Sequence, residues 1–167
     1  ILYKGLTGLG AKCDKFIPHR ITDGYGLHEP AIRDAYDAGV QVILTCDNGI
    51  AAANEVRLAK ELGMTVVVTD HHEVPYNDDE AGIRHYIIPD ADAVIDPKRP
   101  EDDGVFKEIC GAVVAWKFMW CLYRKFGKED KFNNSNFLEV ASLGTVCDVM
   151  ELQHDNRAIV KEGLKKM

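Results

Sequence analysis

The sequence predicts an α/β fold: a doubly wound, mainly parallel sheet with helices on both faces. Three observations predict it. Val42-Ile43-Leu44-Thr45-Cys46-Asp47-Asn48-Gly49 and Val66-Val67-Val68-Thr69-Asp70-His71-His72 are each an aliphatic run closed by an acid, the pattern of a strand buried on both faces. Between them, residues 51–62 form an alanine-rich helical stretch stopped by Gly63. Beyond them, strand-like and helical segments keep alternating, as βαβ construction requires. Both acidic ends then emerge at the carboxyl edge of the sheet, where open α/β sheets bind ligands.

Taken in order, residues 1–9 read as a helix, 11–17 as a strand and 18–26 as a loop dense in breakers and polar groups. Residues 28–38 form a helix with Pro30 in its first turn and Gly39 as its stop. Strands follow at 40–46 and 65–69. Residues 73–104 are turn-rich, with one strand at 93–95 ending in Asp96-Pro97. Residues 111–126 form a helix that is apolar nearly all round and therefore buried. A polar loop over 127–135 leads to a helix at 136–143, which enters Gly144-Thr145-Val146-Cys147-Asp148. A last, amphipathic helix covers 156–166.

At 167 residues the chain amounts to one domain or most of one. Twenty basic against 27 acidic residues leave a net charge of −7, which weighs against a broad basic surface for duplex nucleic acid. An enzyme of nucleic acids is not excluded, because carboxylates that hold cations count as negative. Five cysteines without a Cys-x-x-Cys spacing read as free thiols of a reducing, cytoplasmic compartment. The most apolar stretch, 110–126, contains Lys117 and ends at Arg124-Lys125, too short and too charged to span a bilayer. The chain opens without a basic leader and starts and stops inside helical patterns, so a fragment cut at both sides is expected.

Asp and His side chains converging at a sheet edge suit Mg²⁺, Mn²⁺ or Zn²⁺. Adjacent residues on a strand point to opposite sides, so one histidine of Asp70-His71-His72 can ligate while its neighbour faces a substrate. By itself the triplet is more readily a polar turn whose Asp caps a helix; its place at the end of a buried strand, one βαβ unit after Asp47, reverses that preference in favour of the metal. Asp47-Asn48-Gly49 lies beside a helix N-terminus, which stabilises a carboxylate or a phosphate. Asp148 is a third acid at the end of an apolar stretch. Three acids and two histidines at element ends form a set able to hold divalent cations and activate water. His19-Arg20, Lys98-Arg99 and Arg157 are either phosphate grips or solvated surface charge. Trp116, Phe118, Trp120 and Tyr123 recur at helical spacing and are core. Serine and cysteine triads, phosphate-cradling glycine loops and zinc-finger spacings find no match.

With these residues the chain resembles the DHH phosphoesterase superfamily, and within it the RecJ-type single-stranded-DNA-specific exonucleases. The matching stretches are Ile17-Pro18-His19-Arg20 with Gly24-Tyr25-Gly26-Leu27, Thr45-Cys46-Asp47-Asn48-Gly49-Ile50, Thr69-Asp70-His71-His72-Glu73-Val74-Pro75, Asp90-Ala91-Asp92-Ala93 and Asp96-Pro97-Lys98. Cys110-Gly111-Ala112-Val113-Val114-Ala115, Gly144-Thr145-Val146-Cys147-Asp148 and Asn156-Arg157 with Gly163-Leu164 continue the series. The resemblance implies a two-metal centre of Mn²⁺ or Mg²⁺ that hydrolyses phosphodiesters. In it Asp47 bridges both ions, His71 and Asp148 complete the shell of one, His72 faces the scissile phosphate and Asp70 orients the histidines. Asn48, His19, Arg20, Lys98 and Arg157 are the implied substrate contacts. The implied activity is 5′→3′ digestion of single-stranded DNA in repair and recombination, with single-strand-binding protein and a helicase as partners.

One departure stands out. The family's Asp-x-Asp, on the strand ahead of the helix that begins this chain, is missing, as are its second, DHHA1-type domain and any nucleic-acid-binding barrel. The 167 residues are thus expected to be a partial DHH catalytic domain that holds one ion or none and is inactive or very weak alone. The alternatives are a nano-RNA or cyclic-dinucleotide phosphodiesterase or a family II pyrophosphatase of the same superfamily. A non-catalytic DHH scaffold protein and a small-molecule-binding α/β domain are the rivals from other classes.

Overall fold

β-Branched residues form the sheet where expected. The strands are β1 (Val42–Leu44), β2 (Thr65–Thr69), β3 (Tyr76–Asp78), β4 (Arg84–Tyr86) and β5 (Ala93–Ile95). β1, β2 and β5 make one parallel sheet in that order, with Ile43 opposite Val66 and Val68 opposite Val94. The helices are α1 (Leu2–Leu9), α2 (Glu29–Asp37), α3 (Ala53–Glu61), α4 (Gly111–Lys125), α5 (Glu129–Asn133), α6 (Phe137–Cys147) and α7 (His154–Lys166). This is a computed structural model describing residues 1–18 and 26–167. They fall into two compact units, residues 17–104 and residues 1–16 with 105–167. The α/β class with a parallel sheet agrees with the sequence.

In the unit of residues 17–104, Val66 and Val68 point from β2 into a core shared with Ile32 of α2, Val56 and Ala59 of α3, and Met64. Burying such side chains contributes about 1.5–3 kcal/mol each. β1 is an edge strand and is shorter than expected; Val42 is 54% exposed, so the first aliphatic run is not buried on both faces. The ladder nevertheless continues past β1, since the amides of Thr45 and Asp47 donate to the carbonyls of Val67 and Thr69, each at 3.0 Å. Two threonines lock this extension. Thr69 Oγ1 donates to the Thr45 carbonyl at 2.6 Å, and Thr69 N–H donates to Thr45 Oγ1 at 3.1 Å.

Residues 11–17 are not a strand. Their charged positions Lys12, Asp14 and Lys15 are exposed, and among the described residues the segment joins neither sheet. Two elements were not expected. β3 and β4 form an antiparallel hairpin, Tyr76 opposite Tyr86, whose loop is tied by Asp79 Oδ1 accepting the amides of Ala81 and Ile83. α5 occupies part of the expected polar loop and anchors through buried Phe132.

In the other unit, α4 runs as expected and packs with α1, α5 and α6. Met119, Tyr123, Phe132 and Phe137 form its core, and Tyr123 Oη donates to the Gly5 carbonyl at 3.0 Å. α6 is longer than the expected helix and takes in Gly144-Thr145-Val146-Cys147. Gly144 is required by packing, since a Cβ there would lie 2.4 Å from the Ala112 methyl of α4.

Candidate metal centre

Asp47 sits just past β1 with φ 62°, a left-handed conformation that Asp tolerates better than most residues. Its amide is pinned to Thr69, so the turn is imposed by the ladder and throws the carboxylate out over the sheet edge. Gly49 follows at φ 113°, and a Cβ there would meet Thr45 Oγ1 at 2.9 Å and Val68 at 3.1 Å. Only glycine fits that conformation and that space. Asn48, between them, donates from Nδ2 to the Cys46 carbonyl at 2.9 Å.

At the end of β2, Asp70 is 1% exposed and gathers donors from three directions. Its Oδ2 accepts the Ile50 amide at 2.9 Å, ahead of α3. Its Oδ1 accepts the His71 amide at 2.8 Å and lies 2.6 Å from His72 Nδ1. A carboxylate has no proton to offer, so His72 Nδ1 carries the hydrogen and Nε2 is the ring's outward-facing atom. The Asp70 side chain thus joins the start of α3 to the histidine pair. Removing it would strand buried donors at a cost of about 1–3 kcal/mol.

His71 is 8% exposed, and its Nε2 lies 2.9 Å from Asp47 Oδ1. The two imidazoles are 4.6 Å apart between ring centroids and tilted by 51°. One ligand atom each from Asp47, His71 and His72 fall within 4.8 Å of one another. Two imidazole nitrogens and a carboxylate oxygen form a donor set suited to a first-row divalent ion, and small side-chain shifts bring such a set within bonds of about 2.0–2.2 Å. The residues present fit a metal. Beside them opens a cleft of ≈ 740 Å³ lined by Pro18, Gly26, Asp47, Asn48, Asp70 and His72 among others.

Asp96 ends β5 at the same edge and is 3% exposed. Burial pushes its carboxyl above the ordinary carboxylate range; the Lys98 amide, donating to Oδ1 at 2.8 Å, opposes this, Asp70's charge adds to it and His71's opposes it. No role was foreseen for Asp96, although the rule that singled out Asp47 and Asp70, an acid at a strand end, applies to it equally.

Of the other expected residues, Lys98 pairs with Glu73 at 2.9 Å. Asp148 ends α6 and Arg157 belongs to α7; both are exposed and lie in the other compact unit. His19 and Arg20 lie outside the described residues. Asn156, next to Arg157, is fully buried and donates to the carbonyls of Glu108 and Glu151, so it serves the fold.

The DHH family, N-terminal domain, matches residues 1–145, and the chain belongs to that family. It is 36% identical over its whole length to the single-stranded-DNA-specific exonuclease RecJ of Bacillus subtilis. It is 34% identical, again over its whole length, to the RecJ of Thermus thermophilus. The chain spans 19% and 22% of those two proteins. A crystal structure of exonuclease RecJ bound to manganese superimposes on 97% of the chain at a TM-score of 0.79 and 34% identity, with 38% of that chain covered. RecJ from Thermus thermophilus in complex with Mn²⁺ gives 0.73 at 31% identity, covering 98% of this chain and 21% of its own.

Proposed function

We propose that this chain is the metal-holding part of a single-stranded-DNA exonuclease of the RecJ type. The observation that supports it best is the convergence of Asp47, His71 and His72 at one sheet edge, in a chain of the DHH family. Asp47 and His71 would hold a divalent cation, Mn²⁺ or Mg²⁺, with Asp148 joining them. Such an ion, when bound, stabilises charge on a phosphodiester and lowers the pKa of water. His72 faces the phosphate, and its bond to Asp70 keeps Nε2 directed outward as proton donor or hydrogen-bond partner. Asn48 borders the cleft as a substrate contact, and Lys98, His19, Arg20 and Arg157 supply further charge to the DNA backbone. Digestion runs 5′→3′ in repair and recombination, with single-strand-binding protein and a helicase as partners in the cytoplasm.

The reading also holds that full activity needs the acids of the Asp-x-Asp motif. It is therefore tested on a polypeptide carrying an Asp-x-Asp strand ahead of Ile1, assayed with Mn²⁺ on single-stranded DNA, dinucleotides and pyrophosphate. Nucleotide release from the single strand, lost in His72→Ala, is the expected result. Hydrolysis of dinucleotides or pyrophosphate with the single strand untouched would transfer the chain to another branch of the superfamily. Inertness towards all three would leave the scaffold reading.

A further inference from the structure

α4 carries aromatic surface that its core contacts leave bare. Trp116 packs against Phe132, with ring centroids 5.9 Å apart. Trp120, one turn further and read from the sequence as core, is instead 39% exposed. The Arg124 guanidinium stands 5.4 Å from the centroid of the Trp120 ring, within the range of a cation–π contact. Phe126, just past the helix, is exposed as well. The charge here runs against that of the chain: residues 111–135 hold five basic residues against two acidic, Glu129 and Asp130, where the net charge of the whole is −7. Two of the five are engaged, since Lys117 pairs with Asp155 and Lys131 Nζ donates to the Gly8 carbonyl. Arg124, Lys125 and Lys128 are exposed and form no ion pair among the described residues. The Lys128 amide donates to the Tyr123 carbonyl at 2.9 Å, which keeps Lys128 close to the last turn of α4. The helix macrodipole accounts for cations in a last turn but not for an indole left outside the core beside one of them.

We propose that Trp120, Arg124, Lys125 and Lys128 form a metal-independent contact for single-stranded DNA, in which an unpaired base stacks on the indole and guanidinium while the lysines meet phosphates. Exposed rings beside unpaired cations are the chemistry of sequence-tolerant single-strand binding. A duplex, whose bases are already stacked, can use only the charge. That the strand is DNA rests on the function proposed above; the stacking and charge of the face do not.

The test is fluorescence anisotropy in EDTA with a labelled oligodeoxythymidylate of about twelve nucleotides, within the span of one single-strand site. The parent chain is expected to bind saturably, more weakly as salt rises, with quenching of its tryptophan emission. Trp120→Ala should bind about 5–100-fold more weakly and lose most of the quenching. The double variant Lys125→Gln, Lys128→Gln should lower the salt dependence. Thermal melting confirms that each variant is folded; if Trp120→Ala is not, Arg124→Gln takes its place with the same expected direction. Parent-like affinity in the folded variant overturns the proposal. So does equal affinity for a duplex of the same sequence, or binding to anionic lipid vesicles in place of the oligonucleotide. Because no metal is present, the outcome is separate from hydrolysis. Trp120-dependent binding by a chain whose extended form releases no nucleotide supports the contact and sinks the exonuclease reading; hydrolysis with parent-like binding by Trp120→Ala does the reverse.

Discussion

Asp70 shows how one buried side chain couples fold to site. It accepts from the Ile50 amide, from the His71 amide and from the His72 ring. Asp70→Asn replaces an acceptor oxygen by a donor amide that opposes one of these N–H groups. We expect a loss of about 2–3 kcal/mol in urea unfolding, since the bonds removed are to a charged acceptor. Asp47 was legible in the sequence as an acid at the end of an aliphatic run. That it would adopt a left-handed backbone beside Gly49 was not, because the constraint comes from Thr69 across the sheet. Asp96 went unassigned for a related reason: its meaning depends on which strand lies next to β5, and register is a tertiary fact.

At the scale of elements, aliphatic runs and helix stops placed β2, β5, α2 and α4 closely. They failed for the hairpin of β3 and β4, where Tyr76-Asn77-Asp78 and Arg84-His85-Tyr86 lack an alternating apolar face. Their support is local, from Asp79 in the loop and from the Arg84 guanidinium 3.7 Å above the Tyr76 ring. The segment 11–17 erred in the opposite direction, with strand-like composition but no strand pairing among the described residues. The junction of β1 and β2 yields a prediction. Thr69→Val keeps shape but leaves the buried Thr45 carbonyl without its hydroxyl donor, which should cost about 1–2 kcal/mol in chemical denaturation. A second concerns acid stability. Asp92 accepts from Lys60 and from the Val66 amide at 2.7 Å, and the Lys60 bond foremost holds its carboxyl below 3.8. Its contribution is therefore present above pH 3.8 and lost as pH falls through the lowered value. Asp92→Asn should flatten the acid limb of a melting-temperature profile over that range.

For the whole molecule, the family match reaches residue 145, and both manganese-bound relatives superimpose on nearly the full chain. The α/β class followed from the sequence because a parallel sheet declares itself in uninterrupted aliphatic strands. The division into two compact units did not, since α1 joins α4 to α7 across more than ninety intervening residues, 10–104, a long-range pairing that local patterns do not encode. Among the described residues, no helix is long and apolar enough to cross a membrane. The account depends most on Asp47 and His71 holding a cation at the sheet edge, with His72 beside them. Its most direct test is calorimetric titration of Mn²⁺ into the chain and into Asp47→Ala. We predict saturable binding to the parent chain, weakened at least tenfold in the variant while its melting temperature is kept. Absence of saturable binding to the parent, or an isotherm identical in the variant, would contradict it.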